Sequence, residues 1–252
     1  MSFKGKTILI TGAASGMGFL SAQCFAKEGA NTVLLDIDEE NLQNKVKEIT
    51  EKGGKAIGIK TDVRSYESIC KALELAAEKF STIDIVLNCA GGSSPRIWKR
   101  PKEEEFKDIP IEVFDWGLDV NLKGPFYMGH AVMKYMTRQK SGVIINIGSI
   151  TGEEASARDI EYATAKSAVM NGLTKSLALY GATYGIRCCC VSPGPVLTRP
   201  EMVNLKTLLG RAADPQEIVD LIMYVASEKA SFMTGINILI DGGRNIMKDK
   251  GM

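Results

Sequence analysis

The chain has 252 residues, 45% of them apolar and 24% charged, with a formal net charge of +1. That length is enough to bury a large core in one α/β domain, 1–252, and makes a second domain unexpected. The near-neutral balance argues against nucleic-acid or membrane-surface binding, and with no apolar leader and no run of 18 apolar residues a cytoplasmic protein is expected.

Short apolar, β-branched runs alternate with stretches of helical periodicity along the whole chain. Strands are expected near 7–11, 32–36, 56–60, 84–88, 142–148, 186–191 and 236–240, and helices near 17–28, 39–52, 66–80, 113–139, 160–184 and 215–227. This alternation predicts a doubly wound parallel sheet of about seven strands with helices on both faces. In such a sheet the connections leaving the carboxyl ends of the strands bring Gly12, Asp36, Asp62, Asn88, Ser149 and Pro193 to one edge, where ligands bind. Two stretches break the rhythm. Gly91 to Ile111 reads as a long loop with prolines and charges, and Thr198 to Gly210 as a short crossover before Asp214-Pro215 opens the last helix. The run Cys188-Cys189-Cys190 lies between Ile186 and Val191 and reads as small core residues; the six cysteines have no paired spacing that would make a disulfide framework. His130 has no Cys or His at ligand spacing, so no metal site is expected.

The first strand, Thr7 to Thr11, runs into Gly12, Gly16 and Gly18 and then a helix over Phe19 to Lys27. Glycines here let backbone N–H groups and a helix N-terminus approach a pyrophosphate that Cβ atoms would obstruct. The spacing is Gly-x-x-x-Gly-x-Gly rather than Gly-x-Gly-x-x-Gly. Asp36 closes the second strand, where a carboxylate can accept hydrogen bonds from both ribose hydroxyls of an adenosine; it can equally be a solvated strand end or a cap for the helix near Glu39. Further along, Tyr162 follows Ser149 by thirteen residues and precedes Lys166 by four. A free phenol with a pKa of about 10 is a poor base near neutral pH. Residues four apart on a helix share a face, so Lys166 sets an ammonium near the phenol and favours the phenolate. A shift of ~3 units requires about 4 kcal/mol. A desolvated lysine, helped by the positive charge of an oxidised nicotinamide, can supply it, and the Ser149 hydroxyl can hold the reacting oxygen beside Tyr162.

Carrying these motifs in this order, the chain resembles the classical short-chain dehydrogenases/reductases over essentially its whole length, which implies a single-domain Rossmann fold. Thr11-Gly12-xxx-Gly16-x-Gly18 matches that family's cofactor loop, Asp62-Val63 its adenine contact, and Asn88-Cys89-Ala90-Gly91 the turn after its fourth strand, with Cys89 in place of a second Asn. Pro193-Gly194-Pro195-Val196-Leu197-Thr198 matches the segment that clamps the nicotinamide carboxamide, and Asp241-Gly242-Gly243 the end of the last strand. Asn121 falls where the family has a helix-borne Asn that kinks its helix and holds a proton-relay water. The resemblance therefore implies Asn121, Ser149, Tyr162 and Lys166 as catalytic residues. It implies a nicotinamide dinucleotide held by Gly12, Ser15, Gly16, Met17, Gly18, Asp36, Ile37, Asp62, Val63, Asn88, Ala90, Gly91, Tyr162, Lys166, Pro193, Val196 and Thr198. A homo-oligomer, a tetramer built on the helices near 113–139 and 160–184, is also implied.

The expected activity is NAD-dependent interconversion of a secondary alcohol and a ketone, with Tyr162 as general acid/base, Lys166 tuning it and binding ribose, Ser149 anchoring the substrate oxygen and Asn121 as relay. NAD is expected over NADP, because Asp36 would repel a 2′-phosphate and neither Ser15 nor Ile37 supplies a cation. Small polyols, sugar-derived compounds and anionic hydroxy compounds are the expected substrates. A 3-oxoacyl thioester, a hydroxysteroid, and a catalytically silent NAD-binding regulator are the alternatives. Sugar-nucleotide epimerases share Tyr-xxx-Lys but resemble longer chains with a Gly-x-x-Gly-x-x-Gly loop. Arg96, Lys99, Arg100, Arg158 and Arg199 can converge on an anionic group, or can be solvated charges balanced by Glu103 to Glu105 and Glu153-Glu154. The short crossover after Thr198 points to a small substrate or to a pocket walled by the 91–111 loop.

Overall fold

The computed structural model describes residues 1–99, 101, 105–198 and 205–248. Its strands are β1 (Thr7–Thr11), β2 (Asn31–Asp36), β3 (Lys55–Lys60), β4 (Ile85–Asn88), β5 (Gly142–Ile147), β6 (Ile186–Pro193) and β7 (Asn237–Ile240). All pair in parallel, in the order β3-β2-β1-β4-β5-β6-β7. The order reverses between β1 and β4, and the crevice at that switch point is where such sheets take their ligands.

The helices are α1 (Gly16–Lys27), α2 (Glu39–Glu51), α3 (Tyr66–Phe80), α4 (Ile111–Leu118), α5 (Gly124–Gln139), α6 (Thr151–Glu154), α7 (Ile160–Ser167), α8 (Thr174–Ala182) and α9 (Pro215–Ala226). Their starts follow local chemistry. Asp38 accepts from Asn41 N and opens α2, Ser65 accepts from Ser68 N and opens α3, and Asp214 forms a reciprocal cap with Glu217 around Pro215 to open α9.

Strand alternation distributes the core over the two sheet faces. Ile8 and Ile10 pack with Phe25 of α1 and Ile218 and Ile222 of α9, whereas Leu9 between them packs with Ile69 and Leu73 of α3 and Met128 and Val132 of α5. Cys188, Cys189 and Cys190 are fully buried, and burial pushes their thiols up, that of Cys190 to about 11. No cluster that could hold a metal ion, and no helix long and apolar enough to cross a membrane, occurs among the described residues.

The long helices expected at 113–139 and 160–184 are each interrupted by a widened π turn, at Asp119–Lys123 and Ala168–Leu173. The 91–111 loop is not featureless: it holds 3-10 turns at Ser94–Arg96 and Phe106–Asp108. Arg100, Glu103, Glu104 and Arg199 lie outside the described residues, as does the first half of the crossover after Thr198, residues 199–204.

Candidate active site

The loop after β1 is shaped by its glycines. Gly12 has φ +68°, and a Cβ there would stand 2.8 Å from Ala90 Cα, so the loop lies directly against the turn after β4. A Cβ on Gly18 would collide with the Gly12 carbonyl oxygen. Gly16 differs: its φ is +54°, and a Cβ would meet nothing within 4 Å. The first turn of α1 contains no acidic residue, and the Ser15 side chain does not cap it. Its N–H groups and positive dipole end therefore stay available to an anion. The Asp36 carboxylate stands beside this opening, accepting from Ala14 N at 3.0 Å and Asp38 N at 3.1 Å. The cap of α2 is Asp38, not Asp36. An open left-handed glycine, a bare helix N-terminus and an adjacent strand-end carboxylate fit a dinucleotide, pyrophosphate at the loop and ribose at the carboxylate.

The two arms of this crevice are stitched together by side-chain hydrogen bonds. The Thr11 hydroxyl accepts from both Cys89 N and Ala90 N at 3.0 Å. Asn88 is buried, and its Nδ2 donates to Asn146 Oδ1 at 2.9 Å, while Asn146 donates onward to Thr174. The Asn88 side chain thus joins β4 to β5 and, through Asn146, the start of α8. Burial raises the Cys89 thiol to about 11.

Tyr162 and Lys166 lie on one face of α7, with Lys166 Nζ 5.6 Å from the phenol ring centroid. Lys166 is 4% exposed, and its ammonium donates to Ile147 O at 2.6 Å. The Cβ position of Gly91 lies 3.4 Å from that Nζ and 2.8 Å from Asn121 Oδ1. Asn121, fully buried within its π turn, donates to Gly92 O at 2.8 Å and Gly117 O at 2.9 Å and accepts from Gly92 N at 3.0 Å. Its amide is committed to bracing the Gly92 backbone against Gly117. Ser149 follows β5, its Oγ accepting from Thr151 N at 3.1 Å. The Cβ position of Gly152 lies 2.9 Å from Ser167 N, so the Ser149 segment rests on α7. Ile150 N donates to Pro193 O at 2.8 Å, which ties the same segment to the end of β6. Val196 bridges to Ala213, and Thr198 N turns back onto Val196 O.

Asp62 and Val63 sit after β3. The Asp62 carboxylate holds the Arg64 guanidinium at 2.7 and 3.0 Å, and that bond keeps its pKa below the usual carboxylate range. Val63 packs against Gly124 at the start of α5. Met17 lies in α1, and Ile37 is 56% exposed beyond β2. Arg158 and Lys99 are exposed, and neither is brought against Arg96 by any bond among the described residues.

Three features beside the site escape sequence reasoning. Thr11 is a strand residue like any other until the turn after β4 lies across it. Glu161 reads as a first-turn acid of α7, yet it is buried and accepts from Ser94 N at 3.1 Å. Arg244, near the end of the described chain, forms a buried ion pair with Glu154 at 3.1 Å and donates to Lys206 O at 3.0 Å. The sequence around Glu161 offers no more than an acid between Ile160 and Tyr162, and Arg244 stands between Gly243 and Asn245.

Comparison with known proteins agrees with this geometry. A family model described as Enoyl-(Acyl carrier protein) reductase matches residues 12–245. A 3-oxoacyl-acyl-carrier-protein reductase, FabG of Thermotoga maritima, is 35% identical over 252 residues, covering 96% of this chain and 99% of that protein. A trans-4-hydroxycyclohexanecarboxylate dehydrogenase of Sinomonas cyclohexanicum is 38% identical over 249 residues, covering 94% of this chain and 92% of that protein. The crystal structure of an NAD+-bound xylitol dehydrogenase is similar with a TM-score of 0.87 at 28% identity, covering 96% of this chain and all of that one. The chain belongs to the classical short-chain dehydrogenase/reductase family of nicotinamide-dependent oxidoreductases.

Proposed function

We propose that the protein is an NAD-dependent oxidoreductase that interconverts a secondary alcohol and a ketone. The observation that carries this reading is Lys166, a buried ammonium held on the same helix face as Tyr162 and within reach of Gly91. A charge is expensive to bury, and this one is held beside the Tyr162 ring by its bond to Ile147 O. When bound, the nicotinamide accepts or supplies the hydride. Tyr162 Oη takes the proton from the alcohol in oxidation and returns one to the carbonyl oxygen in reduction. Ser149 Oγ holds that oxygen, and Asn121 fixes the Gly91-Gly92 backbone against which the nicotinamide ribose would lie. The dinucleotide would be held by Gly12, Ser15, Gly16, Met17 and Gly18 at the pyrophosphate, by Asp36, Ile37, Asp62 and Val63 at the adenosine, and by Asn88, Ala90, Gly91, Lys166, Pro193, Val196 and Thr198 at the nicotinamide end. Absorbance of NADH formed or consumed over a panel of alcohols and ketones tests the reading. NAD binding without turnover on any of them would make the protein a silent regulator instead.

The Thermotoga relative supports a second substrate class, 3-oxoacyl thioesters, and the Sinomonas relative supports small cyclic hydroxy acids, so both belong on that panel. Exposed Phe126, Leu179 and Tyr180 on α5 and α8 support self-association through those helices, which sedimentation velocity measures directly.

Preference for NAD over NADP rests on Asp36, whose charge would face a 2′-phosphate, and on the apolar Ile37 beside it. The double change Asp36→Ala with Ile37→Arg is expected to raise the NADP-to-NAD ratio of kcat/KM by about 10²-fold, since it replaces a repulsion with a fork of donors. Equal use of the two cofactors by the wild-type protein would sink this assignment.

A further inference from the structure

The turn after Gly91 and Gly92 is gripped from two sides by buried groups. Glu161, 2% exposed and adjacent to Tyr162, turns inward so that its Oε1 accepts from Ser94 N, and its Cβ and Cγ fill the space a side chain on Gly117 would take. Asn121 holds Gly92 by both its N–H and its carbonyl. From the second grip the chain enters a single 3-10 turn, Ser94–Arg96, with Pro95 fixing its φ and Arg96 N donating to Ser93 O at 3.1 Å. The backbone under Arg96 is therefore fixed.

The Arg96 side chain folds back across Gly92, its Cζ 3.2 Å from the Cβ position there. One residue earlier, the Cβ position of Gly91 is 3.4 Å from Lys166 Nζ. Consecutive Cα atoms are about 3.8 Å apart, so the guanidinium lies within about 14 Å of the ammonium, at the rim of the site. Arg96 forms no ion pair with a carboxylate among the described residues, and the buried acid on the same wall, Glu161, is engaged by Ser94.

We infer that Arg96 binds a carboxylate on the substrate, so that the preferred substrate is a hydroxy acid or its keto acid rather than a neutral alcohol; this rests on the alcohol–ketone reading above. One guanidinium matches one carboxylate through two parallel N–H···O bonds. Gly92 is what lets the Arg96 side chain fold across it, because a side chain there would displace the arginine Cδ and Nε.

Titration calorimetry on the NAD-saturated protein tests this with cyclohexanecarboxylate, which lacks an alcohol, and cyclohexanecarboxamide, its neutral counterpart. The wild type is expected to bind the carboxylate at least about tenfold more tightly than the amide. Arg96→Ala is expected to abolish that preference and Arg96→Lys to restore part of it. Lys107→Ala, which removes a cation paired with Glu105 on the same loop, should leave the preference in place. A preference that survives Arg96→Ala, or its absence in the wild type, overturns the inference. Turnover of 4-hydroxycyclohexanecarboxylate and of its methyl ester separates the two readings. Equal kcat/KM for acid and ester would leave the alcohol–ketone reading standing and overturn the carboxylate site. Arg96-dependent carboxylate binding with no turnover of any alcohol or ketone would do the reverse.

Discussion

Tyr162→Phe is expected to lower kcat by about 10³-fold, ~4 kcal/mol of barrier, while NAD affinity stays within about twofold. The substitution removes one hydroxyl and keeps the ring, so the packing of α7 and the placement of Lys166 5.6 Å from the ring centroid persist. Only the group proposed to move the proton is lost. Lys166→Ala behaves differently. That ammonium is bonded to Ile147 O and stands beside Gly91, so its removal is expected to damage both turnover and cofactor binding. Single-turnover rates together with NADH titrations followed by dihydronicotinamide fluorescence read the two effects apart. A Tyr162→Phe rate within about tenfold of wild type, only ~1.4 kcal/mol, would remove Tyr162 from the acid/base role.

The second large effect is expected at Gly18. Its Cβ would strike the Gly12 carbonyl oxygen and come within 2.9 Å of Gly12 C and 3.3 Å of Ala13 Cα, all of them backbone atoms. Gly12 cannot retreat, because it already lies against Ala90. Gly18→Ala must therefore push α1 away from the loop, at a cost of about 1–3 kcal/mol, and lower Tm by roughly 2–4 °C for each kcal/mol. The loop it distorts is the proposed pyrophosphate cradle, so the Kd for NAD is expected to rise by at least about 10²-fold. Gly16→Ala supplies the contrast, since it faces open space and meets only the strain of its left-handed φ, about 1–2 kcal/mol. Calorimetric titration with NAD and a thermal melt on each variant decide the matter. If Gly18→Ala binds NAD within about threefold of wild type, the loop is not the cradle.

Much of the architecture can be read from local chemistry. The strand expected at 7–11 forms as Thr7–Thr11, because five apolar or β-branched residues in a row suit a strand buried on both faces. The helix expected at 215–227 forms as Pro215–Ala226, since Asp214, Pro215 and Glu217 announce it. The convergence of Gly12, Asp36, Asn88, Ser149 and Pro193 on one sheet edge follows from parallel topology alone. What sequence does not disclose is how side chains are already spent. Asn88 donates to Asn146, fifty-eight residues away, and the Asp62 carboxylate is held by Arg64. The break between α4 and α5 centres on Asn121, which bonds a loop twenty-nine residues earlier, so no helical period can reveal it. Glu161 carries the same signature as a solvated helix-start acid, and only the approach of Ser94 and the bare Gly117 makes it an interior residue.

The Glu154–Arg244 pair joins positions ninety residues apart. On a ribosome the glycine loop, the first four strands and even Tyr162 and Lys166 have all been synthesised before residue 244 is added. Until then the segment carrying Ser149 lacks one of its buried clamps, in surroundings where removing one partner of an ion pair costs about 3–5 kcal/mol. A chain clipped just before Arg244 keeps all seven strands, which end at Ile240, but lacks the guanidinium that pairs with Glu154 behind the segment carrying Ser149.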